Sequence, residues 1–256
     1  MTRVALVTGA ARGIGAATVR RLAGDGWAVV AVDICADDPA IPYSFASRAE
    51  LEELQSSGEV TTIVGDVRDV PLLQSAVDTA VETHGGLDAA IAVSGAIAGG
   101  LHWTTDPDTE RAVLDINLYG VLNLARVAVP ALLARPEPRS GRFIAVASAA
   151  ATRGLDKLAA YSAAKAGVTG FVRSLAAELG CTGVTANTVS PGSTATPMLE
   201  ASARVYGIDM AQFAEQQPIG RLLAPDEVAA AIAWLAGPES SGMTGAVVPV
   251  DGGLSV

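Results

Sequence analysis

Charge, positive charge above all, is scarce in this 256-residue chain, and cysteine occurs only twice. Asp, Glu, Lys and Arg make up only 17% of it, 17 basic against 27 acidic side chains, for a formal net charge of −10. No cluster of Lys and Arg offsets that balance locally, so phosphate backbones and anionic headgroups are repelled, which excludes nucleic acid and membrane surface as expected partners. The two cysteines, Cys35 and Cys181, share no CxxC or metal-ligand spacing. That predicts neither a metal site nor a disulfide, and fits a reduced, cytoplasmic protein. The N-terminus lacks a basic region followed by an apolar segment and a cleavage site; Arg3 to Thr8 already reads as a strand, so export is not expected. Uncharged stretches fail as membrane spans. Leu179 to Leu199 is about long enough, but it carries Pro191, Pro197 and many Ser and Thr, and reads as a strand and a loop.

What the chain does have is apolar residues, 50% of the total. They fall in short β-branched runs that alternate with longer stretches of helical period, the pattern of a parallel sheet covered by helices on both faces. The spacing predicts strands at Val4 to Thr8, Ala28 to Asp33, Thr61 to Gly65, Ala89 to Ser94, Phe143 to Ser148, Val184 to Val189 and Ala246 to Val250. Helix starts are marked by Ser47-Arg-Ala-Glu50, by Asp69 ahead of Pro71, by Asp106-Pro107 and by Pro225-Asp-Glu227. No repeat or linker divides the chain, so one domain spanning 1–256 is expected. Two connections are longer than a compact domain needs, at about 34–46 and about 194–223, and long loops are usually functional or mobile.

Thr8-Gly-Ala-Ala-Arg-Gly-Ile-Gly15 follows the first strand and opens a helix. Gly9 allows a sharp turn, Gly13 a close approach of backbone to a pyrophosphate, and Gly15 a close approach of helix and sheet, while the free N–H groups of the helix start face the anion. Asp33 ends the second strand about 20 residues on, where a carboxylate accepts both hydroxyls of an adenosine ribose and repels a 2′-phosphate. That favours NAD over NADP; Arg12 argues the other way, since a basic residue in this turn can pair with the phosphate. Together these features predict a single-domain, Rossmann-type, doubly wound seven-stranded α/β fold.

Tyr161-Ser-Ala-Ala-Lys165 puts a phenol and an ammonium on one helix face. Leu158, Tyr161, Lys165, Val168, Val172, Leu175 and Leu179 form one stripe at spacings of three and four, so the pair continues the inward side. A lysine there needs a partner. A nearby cation favours phenolate and is expected to bring the phenol toward a working pKa as an acid/base. Ser148 ends the fifth strand, and Gly9, Asp33, Asp66, Gly95, Ser148 and Ser190-Pro-Gly192 all fall at the carboxyl ends of strands, where ligands bind in open parallel sheets.

The joint pattern of TGxxxGIG, Asn117 in Asp115-Ile-Asn-Leu-Tyr-Gly120, Ser148, YxxxK and Ser190-Pro-Gly192 resembles the short-chain dehydrogenase/reductase family over essentially the full chain. The resemblance implies that Tyr161 exchanges a proton with the substrate oxygen and Ser148 hydrogen-bonds that oxygen. It implies that Lys165 holds the nicotinamide ribose and tunes Tyr161, and that Asn117 positions a water in a proton relay. Gly9, Arg12, Gly13, Ile14, Gly15, Asp33, Asp66, Val67, Gly95, Pro191, Gly192 and Thr194 would line the cofactor, with Thr196 near its carboxamide. The chain departs from the family at Ala92-Val-Ser-Gly95, where Asn-Asn-Ala-Gly is usual.

The 34–46 segment with the helix after it is similar to a carveol-dehydrogenase-like subgroup found with the mycofactocin redox system. There the insertion is thought to cover a non-exchanging NAD that another redox carrier reoxidises. Covering the adenosine would bury Ile41, Tyr43 and Phe45. Met198, Leu199, Val205, Tyr206, Ile208, Met210 and Phe213 on the second long segment, with Ile97 and Trp103, predict a lid over an apolar pocket for a hydrophobic secondary alcohol or its ketone. Two readings stay open beside this one: an NADPH-dependent 3-ketoacyl-carrier-protein-type reductase, and a catalytically idle NAD-binding regulatory protein. The family expectation is a homotetramer, for which the apolar Val121, Leu124, Val127, Val129 and Leu132 and the apolar C-terminal tail supply surface to bury.

Overall fold

The computed structural model describes residues 2–256. Strands β1 (Val4–Thr8), β2 (Ala28–Asp33), β3 (Val60–Val64), β4 (Ala89–Ala92), β5 (Arg142–Val146), β6 (Thr185–Pro191) and β7 (Val247–Val250) form one sheet in the order β3-β2-β1-β4-β5-β6-β7. Every neighbouring pair is parallel. Between them run α1 (Gly13–Gly24), α2 (Arg48–Glu53), α3 (Val70–His84), α4 (Pro107–Leu114), α5 (Gly120–Leu133), α6 (Ala159–Glu178), α7 (Pro197–Tyr206), α8 (Met210–Glu215) and α9 (Pro225–Ala236). This is the expected single-domain Rossmann-type α/β fold. The strand order reverses between β1 and β4, which opens a crevice at their carboxyl ends.

Alternation along the strands explains the two layers. Val4 and Leu6 of β1 and Val30 and Val32 of β2 point into a core capped by α3, α5 and α6. Ala5, Val7, Val29 and Ala31 point into a second core capped by α1 and α9. Both faces are buried, so these strands read as continuous apolar runs. Pro249, which cannot donate to a ladder, sits in the edge strand β7.

The helix signals work as read. Ser47 and Glu50 cap α2 reciprocally, Asp69 accepts from Leu72 N–H at the start of α3, and Asp106 accepts from Asp108 N–H at the start of α4.

Several boundaries differ from expectation. β4 stops at Ala92 and β5 at Val146, so Ser94 and Ser148 lie beyond the ladder, free to adopt the irregular backbone that a cleft requires. β6 instead runs on to Pro191 because β7 pairs with it there. The expected long helix from Asp106 is α4 and α5 joined by a π turn at Asp115–Tyr119. The stretch Pro107–Leu133 is also apolar and long enough to cross a bilayer by length and composition. It is part of the core: Val121, Leu124, Val127 and Leu132 are buried against α3 and the sheet. That corrects the argument for self-association from these residues, since their apolar surface is already covered within one chain. The 194–223 segment is not a loop but two helices. Thr196 accepts from Leu199 N–H ahead of Pro197 to start α7, and Asp209 and Gln212 cap α8.

Candidate functional site

One deep cleft opens along the carboxyl edge of the sheet, and all but one of the expected site residues line it. At its β1 end, Gly9 and Gly13 have φ of +65° and +56°, the left-handed region that favours glycine. A Cβ on Gly15 would sit 1.9 Å from Gly9 O. Gly15 therefore lets α1 start directly on the turn itself, a closer constraint than the helix-to-sheet contact expected. Arg12 makes no side-chain cap, so the first N–H groups of α1 face the cleft with Ile14, a ready anion cradle.

Asp33 stands beside this turn, 9% exposed, its Oδ2 accepting Ala11 N–H at 2.9 Å and Oδ1 accepting Cys35 N–H at 3.3 Å. Two backbone donors hold the carboxylate in place and leave it capacity to accept more. Burial and the Asp33 charge push the neighbouring Cys35 thiol up to about 11, an inert group at neutral pH. Arg12 is turned toward the 34–46 segment, Nη2 donating to Ser44 O at 2.9 Å.

Asp66 and Val67 line the cleft after β3, but Asp66 is bound to a residue the sequence reading missed. Arg68 grips Asp66 with Nε at 2.8 Å and Nη2 at 2.6 Å, and with Nη1 reaches Asp38 at 2.7 Å. The available signal was an arginine two residues past a cleft carboxylate, with Asp37 and Asp38 in the preceding long segment. Gln217, also missed, is buried; its Oε1 accepts Ser193 N–H at 2.8 Å and its Nε2 donates to Arg221 O at 2.6 Å. It ties the Pro191, Gly192 and Thr194 wall of the cleft to the segment after α8.

At the other end, α6 turns Tyr161 and Lys165 inward as the stripe predicted, with 7% and 3% exposed. Ser148 faces Tyr161 across the cleft and caps the following turn by accepting Ala150 N–H. Lys165 Nζ donates to Val146 O at 2.9 Å and lies 5.7 Å from the centre of the Tyr161 ring. Asn117 is the one expected residue that does not line the cleft. The π turn, one residue wider than an α turn, aims it behind Gly95, where Nδ2 donates to Ala96 O and Val113 O and the buried Oδ1 has no partner among the described residues. A Cβ on Gly95 would come within 2.8 Å of that Oδ1, so only glycine fits between Asn117 and the cleft.

The electrostatics correct one expectation. Burial pushes Tyr161 up to about 12, with the Ser148 hydroxyl opposing and Tyr43 adding to the rise, and burial pulls Lys165 down to about 8. The ammonium does not bring the phenol down here: it is bonded to Val146 O, stands off the ring, and is itself penalised by desolvation. Beyond Tyr161 the cleft is walled by Met198, Leu199, Tyr206, Phe213, Leu155 and Ile97. Trp103, expected there, is 79% exposed and does not line the cleft. No cluster of metal-ligating side chains occurs among the described residues, and both cysteines are free.

Comparison with known proteins agrees with the fold. Residues 9–255 match the family described as Enoyl-(Acyl carrier protein) reductase. The chain is 39% identical to the short-chain reductase protein NovJ of Streptomyces niveus, over 98% of this chain and 93% of that one. It is 35% identical to (-)-trans-carveol dehydrogenase of Rhodococcus erythropolis, over 99% and 97%. Among solved structures, carveol dehydrogenase from Mycobacterium avium in complex with NAD superposes with a TM-score of 0.92 at 29% identity, covering 98% and 97%. An actinorhodin polyketide ketoreductase with NADPH gives 0.87 at 32%, covering 99% and 97%.

Proposed function

The chain belongs to the short-chain dehydrogenase/reductase family and is an oxidoreductase with carveol-dehydrogenase relatives; from that premise we propose that it uses NAD to interconvert a hydrophobic secondary alcohol and its ketone. The observation that carries the reading is the buried Tyr161 and Lys165 pair on α6, facing Ser148 across a cleft whose far end is the glycine turn and Asp33.

The residues present fit a nicotinamide dinucleotide: the turn at Gly9 to Gly15 is a cradle that a Cβ would fill, and Asn117 Oδ1 is a buried acceptor awaiting a donor. Gly9, Arg12, Gly13, Ile14 and Gly15 would hold its phosphates, Asp33 its adenosine ribose, Asp66, Val67 and Gly95 the adenine side, and Pro191, Gly192, Thr194 and Thr196 the nicotinamide side. Held there, a nicotinamide would supply the acceptor or donor for a hydride at the carbinol carbon. Ser148 donates to the substrate oxygen and Tyr161 moves that oxygen's proton. Lys165 would hold the nicotinamide ribose, and Asn117 Oδ1 would offer a water site on the proton's route out.

NAD over NADP is supported by Asp33, held beside the glycine turn by Ala11 N–H, and by Arg12 donating from Nη2 to Ser44 O. A 2′-phosphate there would meet the Asp33 carboxylate. The uncharged wall of Met198, Leu199, Leu155 and Phe213 supports an apolar, alicyclic or terpenoid alcohol. The 34–46 segment, tied across the cleft mouth by Arg12 and Arg68, supports slow cofactor exchange and reoxidation in place by another carrier. We place the enzyme in the cytoplasm, as its unpaired cysteines favour, and assign it the homotetramer expected of the family, with exposed Tyr119 and Trp234 as surface to cover.

The test is to denature the purified protein, assay the supernatant for NAD(H), and screen hydrophobic alcohols with added NAD or an artificial electron acceptor. Retained cofactor and acceptor-dependent turnover are expected. An empty protein turning over freely with external NAD would remove the non-exchanging part. A second reading, a ketoreductase using NADPH, is favoured by the likeness to the polyketide enzyme; faster ketone reduction with NADPH than with NADH would establish it.

A further inference from the structure

The 34–46 segment leaves the sheet beside Asp33 yet sends its apolar side chains to the far half of the cleft. Ile41, Tyr43 and Phe45 pack in a cluster with Ile97, Tyr161 and Met198, not in the core beneath α1. Adenosine cover alone does not require that position. The Tyr43 ring meets Phe45 edge-on with centroids 5.5 Å apart, and its hydroxyl accepts Ile97 N–H at 3.2 Å. Neighbouring residues of the segment are held too: Ser44 O by Arg12, and Asp38 by Arg68. Three tethers from three strand ends fix where the ring sits. Tyr43 also lies close enough to Tyr161 to contribute to the rise in its pKa.

We propose that Tyr43 is a specificity-determining residue, a wall shared by the cofactor cleft and the substrate chamber, through which the 34–46 segment limits the bulk of the alcohol or ketone that reaches Tyr161. The proposal rests on the secondary-alcohol reading above. The ring supplies a flat apolar surface facing Met198 and Ile97, and the hydrogen bond from Ile97 N–H keeps its hydroxyl from standing unpaired against an apolar substrate. Truncating the ring opens a space the size of a six-membered ring beside the reacting centre, while the tethers through Ser44 and Asp38 stay in place.

The test uses the full chain carrying Tyr43→Ala, Tyr43→Leu or Tyr43→Phe. Three quantities are read: kcat/KM for secondary alcohols graded from one ring to a fused-ring system, the equilibrium affinity for NADH by fluorescence, and the binding of the matching ketones to the NADH-loaded protein. Tyr43→Ala should raise the kcat/KM ratio of bulky to small alcohol by about tenfold or more, with ketone binding shifting the same way and NADH affinity within about threefold, since one hydrophobic wall discriminates on that scale. Tyr43→Phe should keep the wild-type ranking, and Tyr43→Leu should fall between, which also serves if the alanine variant folds poorly.

An unchanged ranking with weakened NADH binding would make Tyr43 a cofactor cover only and overturn the proposal, as would no change in either. If the wild type binds NADH but oxidises none of the alcohols, with or without an artificial electron acceptor, it is the secondary-alcohol reading that fails. The ketone-binding series then still decides for or against the wall.

Discussion

Arg68 offers the sharpest test of how the 34–46 segment is held. Its Nη1 lies 2.7 Å from Asp38 and its Nε and Nη2 grip Asp66, while its own side chain is 33% exposed. Replacing it by methionine keeps the aliphatic stem and removes both pairs. Asp66, at 27%, can turn to water, so little is lost there. Asp38 is 7% exposed; its Oδ1 keeps Ala40 N–H at 2.9 Å, but Oδ2 loses its partner. A buried charged acceptor left unpaired costs up to about 3 kcal/mol, and the partial exposure of Arg68 brings this to about 2 kcal/mol. No strand ladder holds the segment, so the cost falls on its closed state and favours opening by about thirtyfold. Arg68→Met should therefore release NADH about thirtyfold faster in a stopped-flow chase with excess NAD, and should admit chymotrypsin at Tyr43 or Phe45. Asp38→Asn should do nearly the same, and the double variant little more, since one contact is removed either way. Unchanged release and cleavage, with only a lower melting temperature, would refute the latch and place the pair's contribution in the fold as a whole.

Tyr161→Phe should abolish turnover and leave NADH affinity unchanged, because only the proton-carrying oxygen is removed; substantial residual activity would dismiss Tyr161 as the acid/base. Lys165, drawn down from 10.5 to about 8, binds its proton less well folded than unfolded, so stability should rise as pH climbs from about 8. Tyr161, raised from 10.0 to about 12, binds its proton better folded, so stability should fall above pH 10. Lys165→Met should flatten the rise in melting temperature between pH 8 and 10 while eliminating activity, and a persisting rise would assign it to other groups. Gly15→Ala, whose Cβ would meet Gly9 O at 1.9 Å, should displace the turn and weaken NADH binding by at least about tenfold, at about 1–3 kcal/mol of overpacking. Wild-type affinity in that variant would argue that the turn does not hold phosphate.

Glycines, capping residues and the Tyr161 stripe were legible because each is a local rule. Gly9 turns the chain whatever lies beyond it, Ser47 and Glu50 cap α2 from three residues apart, and helical spacing alone turns Lys165 inward. Trp103 misled because an aromatic residue in a connecting segment gives no direction, and here, in the short turn His102–Thr104, it faces solvent. The apolar excess on α5 read as a second exposed face, whereas α3 packs against it and buries Val121 and Val127 in the core. Arg68 and Gln217 were missed for a different reason: each also bridges to a segment far off in the chain, Arg68 to Asp38 and Gln217 to Ser193.

By itself, then, the sequence determined the alternating strands and helices, the order of polar residues at the strand ends and the inward-facing Tyr161 and Lys165, since periodicity, turn chemistry and helix geometry act within a few residues. The tertiary structure alone decided which charges meet and where the long segments lie. Arg68 joins Asp38 to Asp66, Asn117 stands behind Gly95, and Tyr43 crosses to the Tyr161 side of the cleft. Those placements depend on hydrogen bonds and packing between residues that only the closed sheet brings together, and burial there, not the ammonium expected to act, sets the phenol's starting pKa.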